Sequence, residues 1–252
     1  ALVELLAFAV PLAPAESVST FEADGRVLAQ DLLSALDVPA HDNSSMDGYA
    51  LRCADWADAD TILQVNQRIP AGSSGHLLAP ASAARIFTGA PIPPGADAVV
   101  MQEDCETVEG GGVRIRLQPQ PSQWIRRRGE DVSAGAVVLH KGERLNPASL
   151  GLAASVGFAK VQVAPRVRVA LFSTGDELVM PGDVAPSEMK LGAIYNSNRF
   201  FLKALLERLG CTVTDLGIVP DRLDATIEAL KSASQQHDLI LTSGGVSVGE
   251  ED

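Results

Sequence analysis

The sequence predicts an α/β multidomain protein with three parts. These are a helical and extended N-terminal domain, a β-rich second domain, and a partial doubly wound parallel α/β domain. Three observations carry that reading. Between Ile62 and Leu117 apolar and polar residues alternate with the period of strands. After Pro165 strand-like runs alternate with helix-length segments, as in βαβ units. With 252 residues, 46% hydrophobic and 21% charged, the chain can bury more than one core.

In chain order, Leu2, Leu5, Leu6 and Ala9 mark one face of a helix that stops before Pro11. Glu4 and the lack of a basic flank oppose reading this run as a secretory signal. A second helix is expected over residues 19–33, with Leu28 and Leu32 on its apolar side. VPAHDNSSMDGYAL, residues 38–51, is dense in turn formers and reads as an ordered functional loop. In the β-rich stretch, glycines at 72–75 and 110–112 supply turns, and Val113, Ile115 and Leu117 alternate with Arg114 and Arg116. Residues 118–123, with Pro119 and Pro121, suggest a boundary. Val137–Leu139 followed by Gly142 suggests a short hairpin, and Asn146-Pro147 starts a helix that Gly157 stops. Strands are then expected at 167–172, 213–219 and 239–242, with helices between them. The first of these helices ends at Gly210, and Asp221 or Asp224 caps the second. A sheet that breaks off after its third strand is expected to belong to a longer chain, and the missing initiator Met points the same way at the start.

The balance of 20 Lys+Arg against 32 Asp+Glu gives a net charge of −12, and aromatics are 4%. Both argue against a nucleic-acid partner. Cys53, Cys105 and Cys211 are scattered and unpaired in spacing, which fits reduced thiols in the cytoplasm. No stretch of membrane-spanning length lacks a charge or a proline, so no membrane partner is expected.

Ligands of open α/β sheets bind outside the carboxyl ends of the strands. Those ends carry Ser173-Thr174-Gly175-Asp176-Glu177, Pro220-Asp221 and the run from Ser243 to Asp252. Glycines and hydroxyls let backbone N–H groups cradle an anion, whereas the neighbouring carboxylates call for a hard cation between. A phosphate or pyrophosphate bridged by Mg²⁺ is the natural inference. Singly, each loop reads first as an ordinary turn or cap; three on one edge bring the ligand reading level with that one. The dinucleotide fingerprint, the P-loop and the Gly-x-Ser-x-Gly elbow are all absent, and His41, His76, His140 and His237 have no metal spacing. Arg126-Arg127-Arg128 cannot all face one way, but on an acidic protein one of them could clamp an oxyanion. Asp42, Asn43 and Asp47 could instead simply hold an Asx-rich turn.

DVPAHDNSSMDGYALR (37–52), RIFTGAPIPPGADAVVMQED (85–104), IRRRGEDVSAGAVV (125–138), VRVALFSTGDEL (167–178) and TSGGVSVGEED (242–252) together resemble the molybdopterin molybdenumtransferases, the MoeA proteins and the carboxy-terminal domain of gephyrin. The order of the segments is the family order. DNSSMDGYA joined to FTGAPIPPGADAVV is the specific part, since SGGVS recurs in other molybdopterin-binding folds.

The resemblance implies an N-terminal elongated domain from 1–42 and 128–164, a β-rich inserted domain at 43–127 and an incomplete molybdopterin-binding domain at 165–252, with a final β-barrel domain absent. It implies ligation of molybdate to molybdopterin adenylate with release of AMP. Ser243, Gly244, Gly245 and Ser247 match the pterin-binding loop. Glu177, Asp221 and Asp252 match functional acids expected to organise Mg²⁺ and the pyrophosphate. Asp47 and Thr88 match functional positions of the β-rich domain, and Arg126 and Asp131 those of the next segment. By the same resemblance the protein forms a homodimer with an active cleft between subunits, and works beside the molybdopterin adenylyltransferase. Family members continue past Asp252 and contribute ligand-binding lysines from there, so residues 1–252 alone are expected to associate without turnover. The alternatives are a gephyrin-type scaffold and a non-catalytic pterin-binding module.

Overall fold

The alternation that begins at Ile62 becomes a six-stranded sheet. Its order is Ala98–Met101, Gly48–Leu51, Ser82–Ile86, Ile62–Ile69, Gly112–Ile115 and Cys105–Val108. Neighbours run antiparallel, except that Ile62–Ile69 and Ser82–Ile86 are parallel. Each face buries its own cluster. Tyr49, Leu51, Leu63, Val100, Val113 and Ile115 pack on one face, and Ala50, Ile69, Leu78, Ala84, Ile86 and Val99 on the other. Successive residues of a strand point to opposite faces, so all four residues of Gly48–Leu51 are buried. The expected strand stops at Ile115, and Leu117 is exposed.

The computed structural model describes residues 2–244, which fall into two compact units. One unit draws on residues 1–30, 141–150 and 159–252; the other comprises 31–140 and 151–158 and holds the six-stranded sheet. In the first, Arg168–Thr174 is the central strand of a parallel sheet in the order Thr212–Val219, Arg168–Thr174, Leu239–Ser243. The helices between are α3 (Ser197–Arg208) and α4 (Leu223–Gln236); α1 is Leu2–Ala7 and α2 is Pro147–Ser155. Val169 to Phe172 are buried from both sides, as a central strand covered on both faces requires. The βαβαβ reading therefore holds, and so does the Asn146 cap, whose Oδ1 accepts the Ser149 N–H at 3.0 Å.

Three expectations fail. Residues 19–33 are not a helix. Thr20–Glu22 is one 3₁₀ turn, and Gly25 takes a φ of 71°. Leu28 then donates its N–H to the Glu143 carbonyl, while Leu32–Leu33 pairs antiparallel with Val137–Leu139. Leu28 and Leu32 are buried as expected, but a spacing of four also fits extended chain, and these pairings with later segments take precedence over local preference. The same pairing means that Val137–Leu139 forms no local hairpin with its own neighbours. Finally, neither Asp221 nor Asp224 caps α4. Arg222 occupies the cap without a side-chain hydrogen bond, and Asp224, already inside the first turn, pairs with Arg222.

At the amino end of the parallel sheet, Arg168 donates three hydrogen bonds to the Asp238 carboxylate, one from its backbone N–H, and accepts the Asp238 N–H in return. The Arg168 side-chain bonds, and then its backbone N–H, hold the Asp238 carboxyl down from 3.8 to about 2. A carboxyl depressed in the folded state stabilises it above the unfolded value of about 3.9, and that contribution is lost as pH falls through the folded value. Asp238→Asn should therefore lower the urea midpoint at neutral pH. Its deficit against wild type should narrow as pH falls from about 4 towards about 2. A deficit constant across that window would show that the charge is not what the pair contributes.

Candidate active site

Asp47 immediately precedes Gly48–Leu51, and Thr88 lies two residues beyond the end of Ser82–Ile86. With Gly48 opposite Ile86 in antiparallel register, the start of one strand lies beside the end of the other. The Thr88 N–H and hydroxyl both donate to Asp47 Oδ1 at 2.8 Å. Thr88 is presented by a turn in which the Ala90 N–H bonds the Phe87 carbonyl at 2.9 Å, and Gly89 at φ 82° supplies the left-handed residue that a type II turn needs. The Thr88 N–H, then its hydroxyl, and the nearby Arg85 charge hold the Asp47 carboxyl below the usual range. Asp47 is therefore an ionised acceptor at neutral pH.

The second predicted pair is also assembled. The Arg126 guanidinium donates to Asp131, and its Nε lies 3.9 Å from Glu130. Bonding to Asp131 pushes the Arg126 pKa up further. Each of the three consecutive arginines has its own acid, because Arg127 reaches Asp42 and Arg128 reaches Asp37, both at 2.6 Å. Both pairs hang on Asn43–Ser44. Ser44 accepts the Gly89 N–H at 2.8 Å, and this strand pairs with Ile125–Arg126 so that Arg126 lies opposite Asn43. The Asx-rich stretch is thus a scaffold as well as the source of the predicted acid Asp47.

In the other unit, parallel register aligns Thr174 with Val219 and Ser173 with Ser243, so the three carboxyl ends share one edge. Glu177, Asp221, Ser243 and Gly244 all follow from that edge. Ser173 Oγ and Ser243 Oγ are hydrogen-bonded at 2.9 Å, and the Asp221 N–H donates to Asp176 Oδ1 at 3.2 Å. The Glu177 carboxylate folds back over Gly175, where a methyl group would meet Oε2 at 2.4 Å. Gly244 at φ 98° backs onto Thr174, whose carbonyl would lie 2.3 Å from an added Cβ. Thr174 Oγ1 and Thr242 Oγ1 are buried with no hydrogen-bond partner among the described residues.

Gly245, Ser247 and Asp252 lie outside the described residues. Two of the three expected metal ligands, Glu177 and Asp221, remain, and both are exposed. Among the described residues no three His, Cys, Asp or Glu side chains gather as a metal cage, and no helix is long and apolar enough to cross a membrane. A crevice of about 560 Å³ lies at the opposite, amino end of the sheet, lined by Arg26, Arg166, Arg168 and Asp238 among others. It lies at the other end of the strands from Glu177, Asp221 and Ser243. Sequence reasoning passed over Asp176, which fixes Asp221, although its place in the acidic strand-end loop was a signal. It also passed over Arg85, one charge in the run Ser82-Ala83-Ala84-Arg85-Ile86.

The closeness of Gly244 to Thr174 can be tested directly. Gly244→Ala combines a steric overlap with an unfavourable φ and should cost on the order of 2 kcal/mol, read as a lower urea midpoint. An unchanged midpoint would mean that the two loops do not meet so closely.

Residues 1–157 match the family model of the MoeA N-terminal region (domain I and II), and residues 170–252 match a probable molybdopterin binding domain. The chain is 44% identical over 237 residues to a molybdopterin molybdenumtransferase of Haemophilus influenzae, and 43% identical over 240 residues to molybdopterin molybdenumtransferase 2 of Mycobacterium tuberculosis. These alignments cover 94% and 92% of this chain but 58% of each relative. The crystal structure of a molybdopterin biosynthesis MoeA protein from Pyrococcus horikoshii superposes with a TM-score of 0.86 at 33% identity, covering 94% of this chain and 63% of that one. The chain belongs to the MoeA family.

Proposed function

We propose that the whole protein ligates molybdate to molybdopterin adenylate, releasing AMP, as a transferase of molybdenum cofactor biosynthesis. The observation that carries this reading is the carboxyl edge of the parallel sheet. There Gly175 and Gly244 let the loops pack close with no side chain of their own, Ser243 offers a hydroxyl, Thr174 Oγ1 is buried without a partner among the described residues, and Glu177 and Asp221 stand exposed beside them. A phosphate suits the glycines and hydroxyls.

Mg²⁺ fits the donor set, because it is commonly held by one or two carboxylates plus ligand phosphates rather than by a protein cage. Glu177 and Asp221 would hold it, with Asp252 as the expected third ligand. When bound it would offset the charge of the pyrophosphate. Asp176 fixes Asp221 through the backbone N–H, and the back-folded Glu177 side chain has room to turn outward.

In the β-rich unit, Thr88 keeps Asp47 ionised and oriented, so that Asp47 can accept a proton from, or align, a nucleophilic oxygen. Arg126 draws the molybdate oxyanion, while Asp131 sets the direction of its guanidinium and leaves its other N–H groups to donate. Because the adenylate is already activated, positioning and charge neutralisation are the main tasks left to the protein.

The family reading extends to a homodimer, to the cytoplasm and to the molybdopterin adenylyltransferase as supplier of substrate. The gephyrin-type scaffold and the idle binding module gain nothing from the two curated relatives, both named as molybdenumtransferases.

The whole protein incubated with molybdopterin adenylate should release AMP only with molybdate and Mg²⁺ present, followed by chromatography. Release indifferent to molybdate and to chelator would remove the reading. Glu177→Gln should cut turnover by about tenfold or more, since it weakens charge stabilisation at the site. Its folding stability should stay within about 0.5 kcal/mol of wild type, because the side chain is exposed. A folded variant with normal turnover would make Glu177 structural.

A further inference from the structure

Arg85 is the one charged residue on Ser82–Ile86, a strand otherwise buried. Partly burying a guanidinium is costly unless its N–H groups and its planar faces find partners. Arg85 finds both kinds. One terminal nitrogen donates to the Gly48 carbonyl at 2.9 Å and the other to Gln102 Oε1. The guanidinium lies 5.2 Å from the Tyr49 ring centre and 4.6 Å from that of Phe87, and the Arg68 guanidinium also lies 4.6 Å from Phe87.

These partners surround Asp47. Gly48 is the next residue in the chain, and Phe87 immediately precedes Thr88. The Gln102 backbone N–H donates to the Asp47 carbonyl at 3.1 Å, because Met101 lies opposite Gly48 across the sheet. Three segments that end together, at Asp47-Gly48, Phe87-Thr88 and Met101-Gln102, are thus tied to one guanidinium.

We propose that Arg85 is the positioning residue of the Asp47–Thr88 pair: by holding Gly48 and Gln102 and stacking on Phe87, it fixes the Asp47 carboxylate against the Thr88 turn. The proposal rests on the functional reading of Asp47 and Thr88 given above. Arg85 does not touch Asp47 with a hydrogen bond. It acts through the backbone on either side and through its charge, which adds to the Thr88 bonds in keeping the Asp47 carboxyl low. Arg68 shares the Phe87 ring without sharing the Gly48 or Gln102 contacts, and so serves as a built-in control.

The test follows the Asp47 carboxyl by ¹³C NMR titration of the whole protein labelled at aspartate, alongside steady-state AMP release. Arg85→Gln should move the Asp47 titration upward and lower kcat by about tenfold or more, because small misplacements of a reacting group are costly. The KM for molybdate should stay within about twofold, since ground-state binding is not what is lost. Arg85→Lys keeps the charge but cannot span Gly48 and Gln102 together, so the titration should stay low while kcat remains reduced. Arg68→Gln should leave both readouts at wild-type values.

If Arg85→Gln does not fold, Gln102→Met removes one anchor at an exposed residue and should lower kcat in the same direction by less. A normal titration and normal kcat in Arg85→Gln would overturn the proposal, as would a normal kcat in a folded Gln102→Met. So would an equal effect of Arg68→Gln, which would reduce Arg85 to packing on Phe87. Should the wild-type protein release no AMP, the functional reading fails while the titration still decides whether Arg85 controls Asp47.

Discussion

A strand buried on both faces can show polar chemistry only where it ends. That constraint organises both units. In the parallel sheet Val169 to Phe172 are sealed on both sides, and the first exposed residues beyond the strand are Asp176 and Glu177 of the loop that follows Thr174. In the mixed sheet Gly48–Leu51 is sealed likewise, and charged residues stand at its two ends, Asp47 just before its first residue and Arg52 just after its last. Register then does the rest. Strand ends that are level with one another gather residues far apart in sequence, such as Ser173 with Ser243 and Asp47 with Thr88.

The two sets of candidate residues differ in how they are held. The Asp47 carboxylate accepts the Thr88 backbone N–H, and the backbone of Asp221 is held by the Asp176 carboxylate, so the position of each is tied to a strand end. The Arg126–Asp131 pair is exposed and joined side chain to side chain. Exposed ion pairs contribute little to stability, so the pair adds little to the fold and mainly sets the direction of the Arg126 guanidinium. The adjoining pairs of Arg127 with Asp42 and Arg128 with Asp37 use the same chemistry to tie the segment to the Asx-rich stretch. The three arginines diverge, as their adjacency demanded, and each meets a separate carboxylate.

Much of this was readable from residue order. Alternation marked the mixed sheet, and the strand–helix rhythm after Pro165 marked the parallel one. The glycine and acid loops pointed to the carboxyl edge of the parallel sheet, where the structure gathers them. What could not be read was set by partners distant in sequence. Leu28 and Leu32 carry a helical spacing, yet Gly25 turns the chain, and separate pairings bury each leucine in extended structure. Asp224 is a residue type that caps helices but falls two residues past the cap position and pairs with Arg222. Arg85 drew no notice because one charge in a short apolar run has no periodicity. Its meaning comes from Gly48 and Gln102, which only the pairing of three strands brings to it.

The account stands on the carboxyl edge of the parallel sheet being where the pterin phosphate binds. The most direct measurement is a crystal structure of the whole protein with molybdopterin adenylate. The expected result is a phosphate within hydrogen-bond distance of the Ser243 hydroxyl and of backbone N–H groups in the loops that follow Thr174 and Ser243, with Glu177 and Asp221 turned towards the pyrophosphate. A ligand seated instead in the arginine-lined crevice at the amino ends of the strands, with that edge unengaged, would contradict it.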